Sequence, residues 1–233
     1  MDEKKSNSKK IIIIVAVIII LVIGGIAIVA GSFIGEVAGQ QTINSEIEKI
    51  NQTGEVDQEI KAKGKYGEVE KVLKDYVLEY QAAGKEIQAQ YQNEKFTTIL
   101  TADNLKNDGP EFTESKKLVA DTRAKGEEVK TKLAEMVSDE YKEKRATDNG
   151  LTGKYKDLFV DSIKFEAEQK QVNASIDSVN NYLEKLDEIF NFLNENKDKW
   201  EIRNDKVEFS QMTLVTKYNS LIQLASIAAQ KIK

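Results

Sequence analysis

The sequence predicts an all-α protein: an N-terminal transmembrane helix followed by an elongated antiparallel helical bundle, with a small β-hairpin as one interpretation of residues 200–209. Three observations lead to this fold class. Residues 11–30 contain no charged side chain and are rich in Ile and Val. One Pro occurs in 233 residues. Apolar residues recur every three or four positions over long stretches, which is the spacing of one helix face.

The uncharged run Ile11–Ala30 predicts a transmembrane signal-anchor helix over residues 11–31. A helix needs about 20 apolar residues to cross the hydrocarbon core of a bilayer, and this run is apolar on every side. Lys9 and Lys10 end a basic tail over residues 1–10. Positive charge is retained in the cytoplasm, so we expect a cytoplasmic N-terminus and an extracytoplasmic body at the cell membrane.

A cleaved signal peptide is the alternative to an anchor. Its apolar region would be about 7–15 residues long and would lead to a small-x-small cleavage site. The run here is longer, and Ile28 lies where a site ending at Ala30 would require a small residue. The absence of Cys excludes a lipid-modified cysteine. We therefore expect the anchor to remain, with the lipid bilayer as its partner.

Residues 32–64 are expected to form a helical juxtamembrane segment. Its apolar residues fall on one helical stripe: Ile43, Ile47, Ile50, Val56 and Ile60. Gly54 and Gly64 weaken that pattern, because Gly disfavours helix interiors. Three glycines are spaced four apart at its start: Gly31, Gly35 and Gly39. They either allow two helices to approach closely or loosen the exit from the bilayer, and we favour the second interpretation.

The body, residues 65–233, is expected to be an extracytoplasmic helical bundle. The predicted helical blocks are Tyr66–Tyr91, Glu94–Asn107, Glu111–Asp148, Gly153–Lys199 and Phe209–Ile232. The fourth would be a single helix about 70 Å long. It carries apolar residues in alternating steps of four and three: Val172, Ile176, Val179, Leu183, Leu186, Phe190 and Leu193. This seven-residue repeat is typical of coiled-coil packing, with helices that cross at about 20°.

Turn residues predict where several helices begin and end. Pro110, two residues after Asp108, is expected at the first position of a helix, where its missing N–H is not needed. Gly150, after Asn149, is expected to end a helix in the left-handed conformation. Thr152 would then cap the next helix with its hydroxyl.

The stretch from Trp200 to Phe209 departs from helical spacing. Apolar and polar residues alternate on both sides of Asn204-Asp205. One interpretation is a β-hairpin with a tight turn, in which Trp200 and Ile202 lie opposite Phe209 and Val207. The other is an extended loop between two helices, and the sequence does not separate them.

The residue types argue against catalysis. The chain has no His and no Cys, which removes the commonest proton-transfer group, the strongest nucleophile and the usual zinc ligands. Its acids are interleaved with Lys, as in Glu127–Lys132, which is typical of a solvated helix face. Only three Arg are present, and the net charge is −5. We expect no enzyme, no catalytic, cofactor-binding or metal-binding residue, and no nucleic-acid partner.

Aromatic residues are expected mainly in the core. Four tyrosines at helical spacing either form a ligand surface or fill a seam between helices: Tyr66, Tyr76, Tyr80 and Tyr91. We favour the seam, because buried tyrosines commonly reach its edge with their hydroxyls. Trp200 is expected to pack against Phe190 or Leu193.

The C-terminal stretch Leu221–Ala229 is apolar over most of its circumference. Such a helix is either buried in the middle of a bundle or covered by a partner. The candidate partner contacts are Leu221, Ile222, Leu224 and Ile227. A buried core helix is the interpretation that we favour here.

The region from Asn196 onwards resembles a known family. The stretch Asn196–Ile202, followed by Asn204–Val207 and a final helix, is similar to an uncharacterised family of bacterial envelope helical-bundle proteins, a domain of unknown function (DUF3053-like). Members of that family are lipoproteins, whereas this chain has no Cys. The resemblance implies a helical envelope protein and no particular activity.

These features lead to an expected function. We expect a membrane-anchored extracytoplasmic helical bundle that acts as a non-enzymatic binding, tethering or scaffold protein of the cell envelope, with a protein or envelope component as its partner. The alternative is a sensory ectodomain that binds a small ligand and signals through a membrane partner. A buried polar cavity would favour sensing, and a filled core with an exposed apolar surface would favour protein binding. The sequence leaves the oligomeric state open.

Overall fold

The computed structural model describes residues 37–164 and 166–232. Within these ranges, no helix combines the length and the apolar character needed to cross a membrane. The predicted anchor over residues 11–31 lies outside the described residues, and so do Lys9 and Lys10 of the tail before it. The anchor therefore stays a prediction.

The described chain is mostly helical, with one two-stranded antiparallel sheet. Its helices are α1 (Val37–Thr53), α2 (Lys65–Tyr91), α3 (Lys95–Thr98), α4 (Ala102–Asp108), α5 (Thr113–Met136), α6 (Asp139–Asp148), α7 (Lys154–Ser162), α8 (Glu166–Glu195) and α9 (Met212–Gln230). A short 3-10 turn, Lys197–Lys199, leads into strands β1 (Trp200–Arg203) and β2 (Lys206–Phe209). The predicted all-α fold with a β-hairpin is confirmed.

The long helices pack side by side in the spatial order α9, α8, α5, α2. Helices α1 and α7 both lean on α2, and α6 lies on α7. Helices α2 and α5 run antiparallel, because Gln90 contacts Thr122 while Tyr76 contacts the end of α5 at Met136. Helices α5 and α8 are antiparallel as well, as their ion pairs Arg123–Asp187 and Lys130–Asp177 show. This order makes α1 an edge helix on α2 and α9 an edge helix on α8.

The heptad pattern of α8 is confirmed. All seven seam residues from Val172 to Leu193 are buried, and the aromatic and aliphatic side chains pack on α5 and α9. The prediction of one helix over Gly153–Lys199 is wrong. Helix α7 ends at Ser162, and Ile163 has an extended backbone before α8 begins. Neither Gly nor Pro marks this break in the sequence.

The predicted block Glu111–Asp148 is also divided. Helix α5 ends at Met136, and the Ser138 hydroxyl accepts a hydrogen bond from the Tyr141 N–H, which caps α6. The hydroxyl of Tyr76 donates to the Met136 carbonyl at 2.6 Å, so a carbonyl at the end of α5 finds a buried partner.

The predicted helix boundaries have mixed outcomes. Pro110 is not at a first helical position, because α5 begins at Thr113; the Asp108 carboxylate instead accepts from two N–H groups of its first turn. Gly150 ends α6 with a φ of 76°, as predicted. Thr152 does not cap α7, since the capping position is Gly153 and no side chain bonds there.

Among the described residues of the juxtamembrane segment, 37–64, the helix covers only Val37–Thr53. Ile43, Ile47 and Ile50 are buried along α1, as the stripe predicted, but the helix ends at Thr53 before Val56 and Ile60. Gly39 lies against Tyr66 of α2: a Cβ atom added there would be 2.5 Å from the tyrosine ring. This contact joins α1 closely to α2. Gly31 and Gly35 lie outside the described residues, so the expectation that the glycines loosen the exit from the bilayer stays a prediction.

The hairpin interpretation of residues 200–209 is confirmed. Trp200 pairs with Phe209 and Ile202 with Val207, in the predicted register. Asn204 and Asp205 form the two-residue loop between the strands, and both adopt the positive φ angles that such a tight turn requires. The Trp200 indole N–H donates to the Leu193 carbonyl at 2.8 Å.

Candidate functional site

The predicted partner contact lies on α9, which packs on α8 and β2 at the edge of the helical layer. Leu221, Ala225 and Ala228 form its buried face. Leu221 therefore belongs to the contact with the core, and Ile222 is half-buried beside it. The interpretation of a helix buried in the middle of the bundle is wrong, because among the described residues α9 is covered on one face, by α8 and β2.

The other predicted contacts, Leu224 and Ile227, are exposed. Their exposed fractions are 44% and 43%, and Met212 at the start of α9 reaches 77%. In the described part of the chain, four large apolar residues are this exposed, and three of them lie on α9. Leu224 and Ile227 are adjacent on the helix surface, and such a pair, rather than a single exposed Leu, is typical of an interaction surface.

The exposed residues follow a second heptad seam beside the buried one. The buried and half-buried seam consists of Leu214, Tyr218, Leu221, Ala225, Ala228 and Ile232. The residues that directly precede these six in the sequence are exposed and form a second seam: Thr213, Lys217, Ser220, Leu224, Ile227 and Lys231. Both advance in steps of four and three, the spacing along which helices pack at about 20°. We call the exposed set the outer seam of α9.

The charge of α9 differs from that of its neighbour. Helix α9 contains no acidic residue and a single charged one, Lys217, and Lys231 follows directly after its end. Helix α8, in contrast, contains seven acidic residues and two Lys. Depletion of charge on an exposed surface is typical of the centre of a protein interface.

An aromatic cluster fixes α9 to the rest of the molecule. The ring of Phe209 lies 5.8 Å from Phe192 of α8 and 5.3 Å from Tyr218 of α9, measured between ring centroids. Burial raises the pKa of Tyr218 to about 12, so its hydroxyl stays neutral. The ring of Trp200 in β1 stacks on that of Phe112, with 6.2 Å between the ring centroids, and this contact also attaches the hairpin to the helices. The outer seam therefore lies on a helix that aromatic contacts attach to α8 and the hairpin.

A second cluster, at the opposite edge, is ionic and buried. The Lys74 ammonium donates to Glu46 at 2.8 Å, lies 2.6 Å from Glu70 and donates to the Glu59 carbonyl at 2.7 Å. The ammonium of Lys61 contacts the second oxygen of Glu46 at 2.6 Å. We call Lys74, Lys61, Glu46 and Glu70 the Lys74 ion cluster. Its two cations and two anions balance.

The ionisation of the cluster follows from these contacts. Burial alone would raise the pKa of Glu46, but hydrogen bonds from Lys61 and Lys74 outweigh it and lower that pKa. Burial alone would lower the pKa of Lys74, and the carboxylates of Glu46 and Glu70 outweigh it in turn and raise that pKa. The backbone N–H of Glu59 and the Lys61 ammonium lower the pKa of the neighbouring Asp57 carboxyl to about 2.

The Lys74 ion cluster is a structural joint rather than a binding site. The other oxygen of Glu70 accepts the N–H groups of Lys61 and Ala62 at 2.9 and 2.7 Å. Each Lys74 donor also has a protein acceptor. The cluster connects α1, the following extended segment and α2, and it leaves no cation donor for a ligand at Lys74.

A shallow polar groove of about 470 Å³ lies between α5 and α8. Its lining residues are Arg123, Asp177, Asn180, Asn181, Glu184 and Asp187. Arg123 pairs with Asp187 at 2.9 Å, and Lys130 pairs with Asp177 at 2.8 Å. These pairs join α5 to α8.

The sequence located some of these features and missed others. Tyr76, Tyr80 and Tyr91 are buried and Tyr66 is half-buried, so the seam interpretation of the tyrosines is confirmed. The Lys74 ion cluster was missed, because its lysine joins Glu46 from 28 positions earlier in the chain. The outer seam was only half found: its apolar residues were singled out, and its flanking lysines were not. The spacing of Lys217 and Lys231, seven residues before and after Leu224, could have indicated that they share its helix face.

Comparisons with known proteins do not extend this picture. In residues 37–164 and 166–232, no group of three or more His, Cys, Asp or Glu side chains is arranged to hold a metal ion. No protein family, curated protein or solved structure matches the chain. The resemblance of the C-terminal region to uncharacterised bacterial envelope proteins therefore stays a prediction.

Proposed function

We propose that the protein is a membrane-anchored, extracytoplasmic, non-enzymatic scaffold that binds a protein partner through the outer seam of α9. The observation that carries the proposal is the exposure of Leu224 and Ile227 on a helix without acidic residues. In a chain in which 31% of residues are charged, such a surface is maintained at a cost in solubility. A partner that covers it offsets that cost.

The two edges of the helical layer suit a tethering role. The predicted anchor over residues 11–31 would enter the body at α1, which is fixed to α2 by the Lys74 ion cluster. The outer seam lies at the other edge, on α9. A partner bound there would be held at a defined distance from the bilayer, because α2, α5 and α8 lie between the two edge helices.

The core supports protein binding over the alternative, a sensory ectodomain for a small ligand. Large side chains fill it: Tyr76, Phe112, Phe159 and Phe190 are fully buried. The groove between α5 and α8 is open, its lining residues are all charged or amide-bearing, and the ion pair of Arg123 with Asp187 crosses it. Ligand sites for small molecules are commonly enclosed and mostly apolar.

Photo-crosslinking in intact cells tests the proposal. Benzoylphenylalanine would replace Leu224 or Ile227 in the full chain, and Ile60, an exposed apolar residue away from α9, would serve as the control position. We expect a discrete crosslinked protein from the two α9 positions and none from Ile60. The same products from all three positions, or none from α9, would contradict the proposal.

Membrane anchoring is tested on the same cells. We expect the protein to stay in the membrane fraction after alkaline carbonate extraction and its body to be digested by protease added outside intact or osmotically opened cells. Release by carbonate, or protection of the body from external protease, would show that the anchor or its orientation is wrong.

A further inference from the structure

The outer seam also indicates the chemistry of its occupant. Leu224 lies seven residues from Lys217 on one side and seven from Lys231 on the other. The three side chains therefore form a line along one face, with the lysines about 21 Å apart at 1.5 Å per residue. Ile227 lies beside Leu224, one helical turn further. Both lysines are exposed, and no ion pair involves either of them among the described residues.

We infer that the occupant is an acidic amphipathic helix of a partner protein, packed along the outer seam; this inference rests on the function proposed above. Its apolar stripe would cover Leu224 and Ile227. Acidic residues about 14 positions apart would meet Lys217 and Lys231. Steps of four and three on both helices would let their side chains interlock at a small crossing angle.

The charges disfavour a second copy of this chain as the occupant. In an antiparallel pair centred on Leu224, Lys217 of one copy would face Lys231 of the other. In a parallel pair each lysine would face its own equivalent. Both arrangements place like charges together, whereas an acidic helix places opposite charges there, and such complementarity selects between partners.

Designed peptides test the inference on the full-length protein in nanodiscs of neutral lipid. The probe is a helical peptide of about 21 residues, long enough to reach both lysines. It carries Leu in steps of four and three and Glu at the flanking positions. The matched control peptide has Lys in place of every Glu. Fluorescence anisotropy at low salt should show the acidic peptide binding about tenfold more tightly than the basic one, because two charge pairs at an interface edge have this combined strength.

Charge reversal sharpens the test. In the double variant Lys217→Glu, Lys231→Glu, the preference should reverse, so that the basic peptide binds more tightly. The control variant Lys63→Glu, Lys85→Glu changes two exposed lysines elsewhere and should keep the original preference. Leu224→Gln with Ile227→Gln should weaken both peptides. Equal binding of the two peptides, or a preference that the reversal leaves unchanged, would overturn the inference.

Two other occupants are separate outcomes. The chain has no Cys, so Ile227→Cys introduces a single thiol. Rapid disulfide dimers of this variant, with a dimer mass for the unmodified protein in solution, would show that a second copy is the occupant. Binding of the lysines to vesicles with anionic lipid, but not to the acidic peptide, would show a membrane contact. Crosslinking from Leu224 in cells without acidic-peptide preference would overturn this inference and leave the proposed function standing.

Discussion

The two edge helices, α1 and α9, differ in the chemistry of their contacts with the same helical layer. Helix α1 buries Ile43, Ile47 and Ile50 and is also joined to α2 through buried ions, so the charges that it places at the contact are matched within the protein. Helix α9 is joined to α8 through apolar and aromatic side chains, and both Lys217 on this helix and Lys231 just after it are exposed. The charges at the α1 edge thus have partners within the protein, whereas the exposed face of α9 has none among the described residues. For this reason we assign a structural role to the α1 edge and a binding role to the α9 edge.

Buried ions and apolar seams also differ in what they specify. A buried ion pair contributes little net stability compared with well-packed apolar residues, since desolvation offsets the attraction. Breaking it from one side is costly, because a charge is left without its partner. The Lys74 ion cluster therefore fixes the position of α1 along α2 more than it stabilises the fold. The apolar seam of α8 contributes more to the stability of the fold, and it fixes the relative positions of the helices less strictly.

The largest effect is expected from removing the central cation. Lys74→Met leaves the carboxylates of Glu46 and Glu70 buried together, and we expect a loss of about 3–5 kcal/mol in the free energy of unfolding. Urea unfolding followed by circular dichroism measures it. Lys71→Met is the matched control on the same helix: Lys71 pairs with Asp75 at the same spacing but in solvent, so a change within about 0.5 kcal/mol is expected. Equal effects of the two substitutions would remove the distinction between the edges.

The same pair of lysines shows what the sequence could and could not predict. Lys74 and Glu70 are spaced as Lys71 and Asp75 are, and only a helix 28 residues earlier determines which pair is buried. Periodicity sufficed for the α8 seam, because its partners impose the same repeat. It failed at Ile163, where α7 ends without Gly or Pro. Such features depend on tertiary contacts that a local pattern does not encode.

At the predicted partner contact, the periodicity of the sequence predicts the helix α9 but does not predict which of its faces is exposed. Leu221 and Leu224 are both apolar and three residues apart, yet the first is buried and the second is 44% exposed. The difference arises because α8 covers the face of α9 that carries Leu221, whereas nothing in the described chain covers the neighbouring face that carries Leu224. Only the packing order of the helices separates the two residues.

A smaller loss is expected from Gly39→Ala, which tests the close approach of α1. The new Cβ would lie 2.5 Å from a ring carbon of Tyr66, so the helices must separate or the ring must move. Overpacking costs about 1–3 kcal/mol, and the higher helix propensity of Ala returns up to about 1 kcal/mol. We expect a net loss of about 1–2 kcal/mol in the free energy of unfolding. In a Tyr66→Ala background the same substitution should be neutral or stabilising, and a persisting loss would place the clash elsewhere.

The pH dependence of the α1 joint is expected to be smaller still. Because the pKa of Glu46 is lower in the folded protein than the ordinary value of 4.5, its carboxylate stabilises the fold above that value. This stability is lost as the pH falls through the lowered folded pKa. Unfolding free energies of the natural protein and of Glu46→Gln should therefore differ at neutral pH and converge as the pH falls from 4.5 through the lowered folded pKa. A constant difference across this range would show that the Glu46 charge is not what joins α1 to α2.

The smallest effect on stability is expected at the α9 edge, where the largest effect on binding is proposed. Leu224→Gln with Ile227→Gln replaces two side chains that are more than two-fifths exposed, and we expect the free energy of unfolding to change by no more than about 0.5 kcal/mol per residue. Leu221→Gln is the control on the buried side of the same helix, and it should cost about 2–5 kcal/mol, because a polar amide would enter the contact with α8. Thermal and urea unfolding measure both. If the outer double variant destabilised the protein as much as Leu221→Gln, then Leu224 and Ile227 would serve the fold itself, and α9 would be as complete an edge as α1.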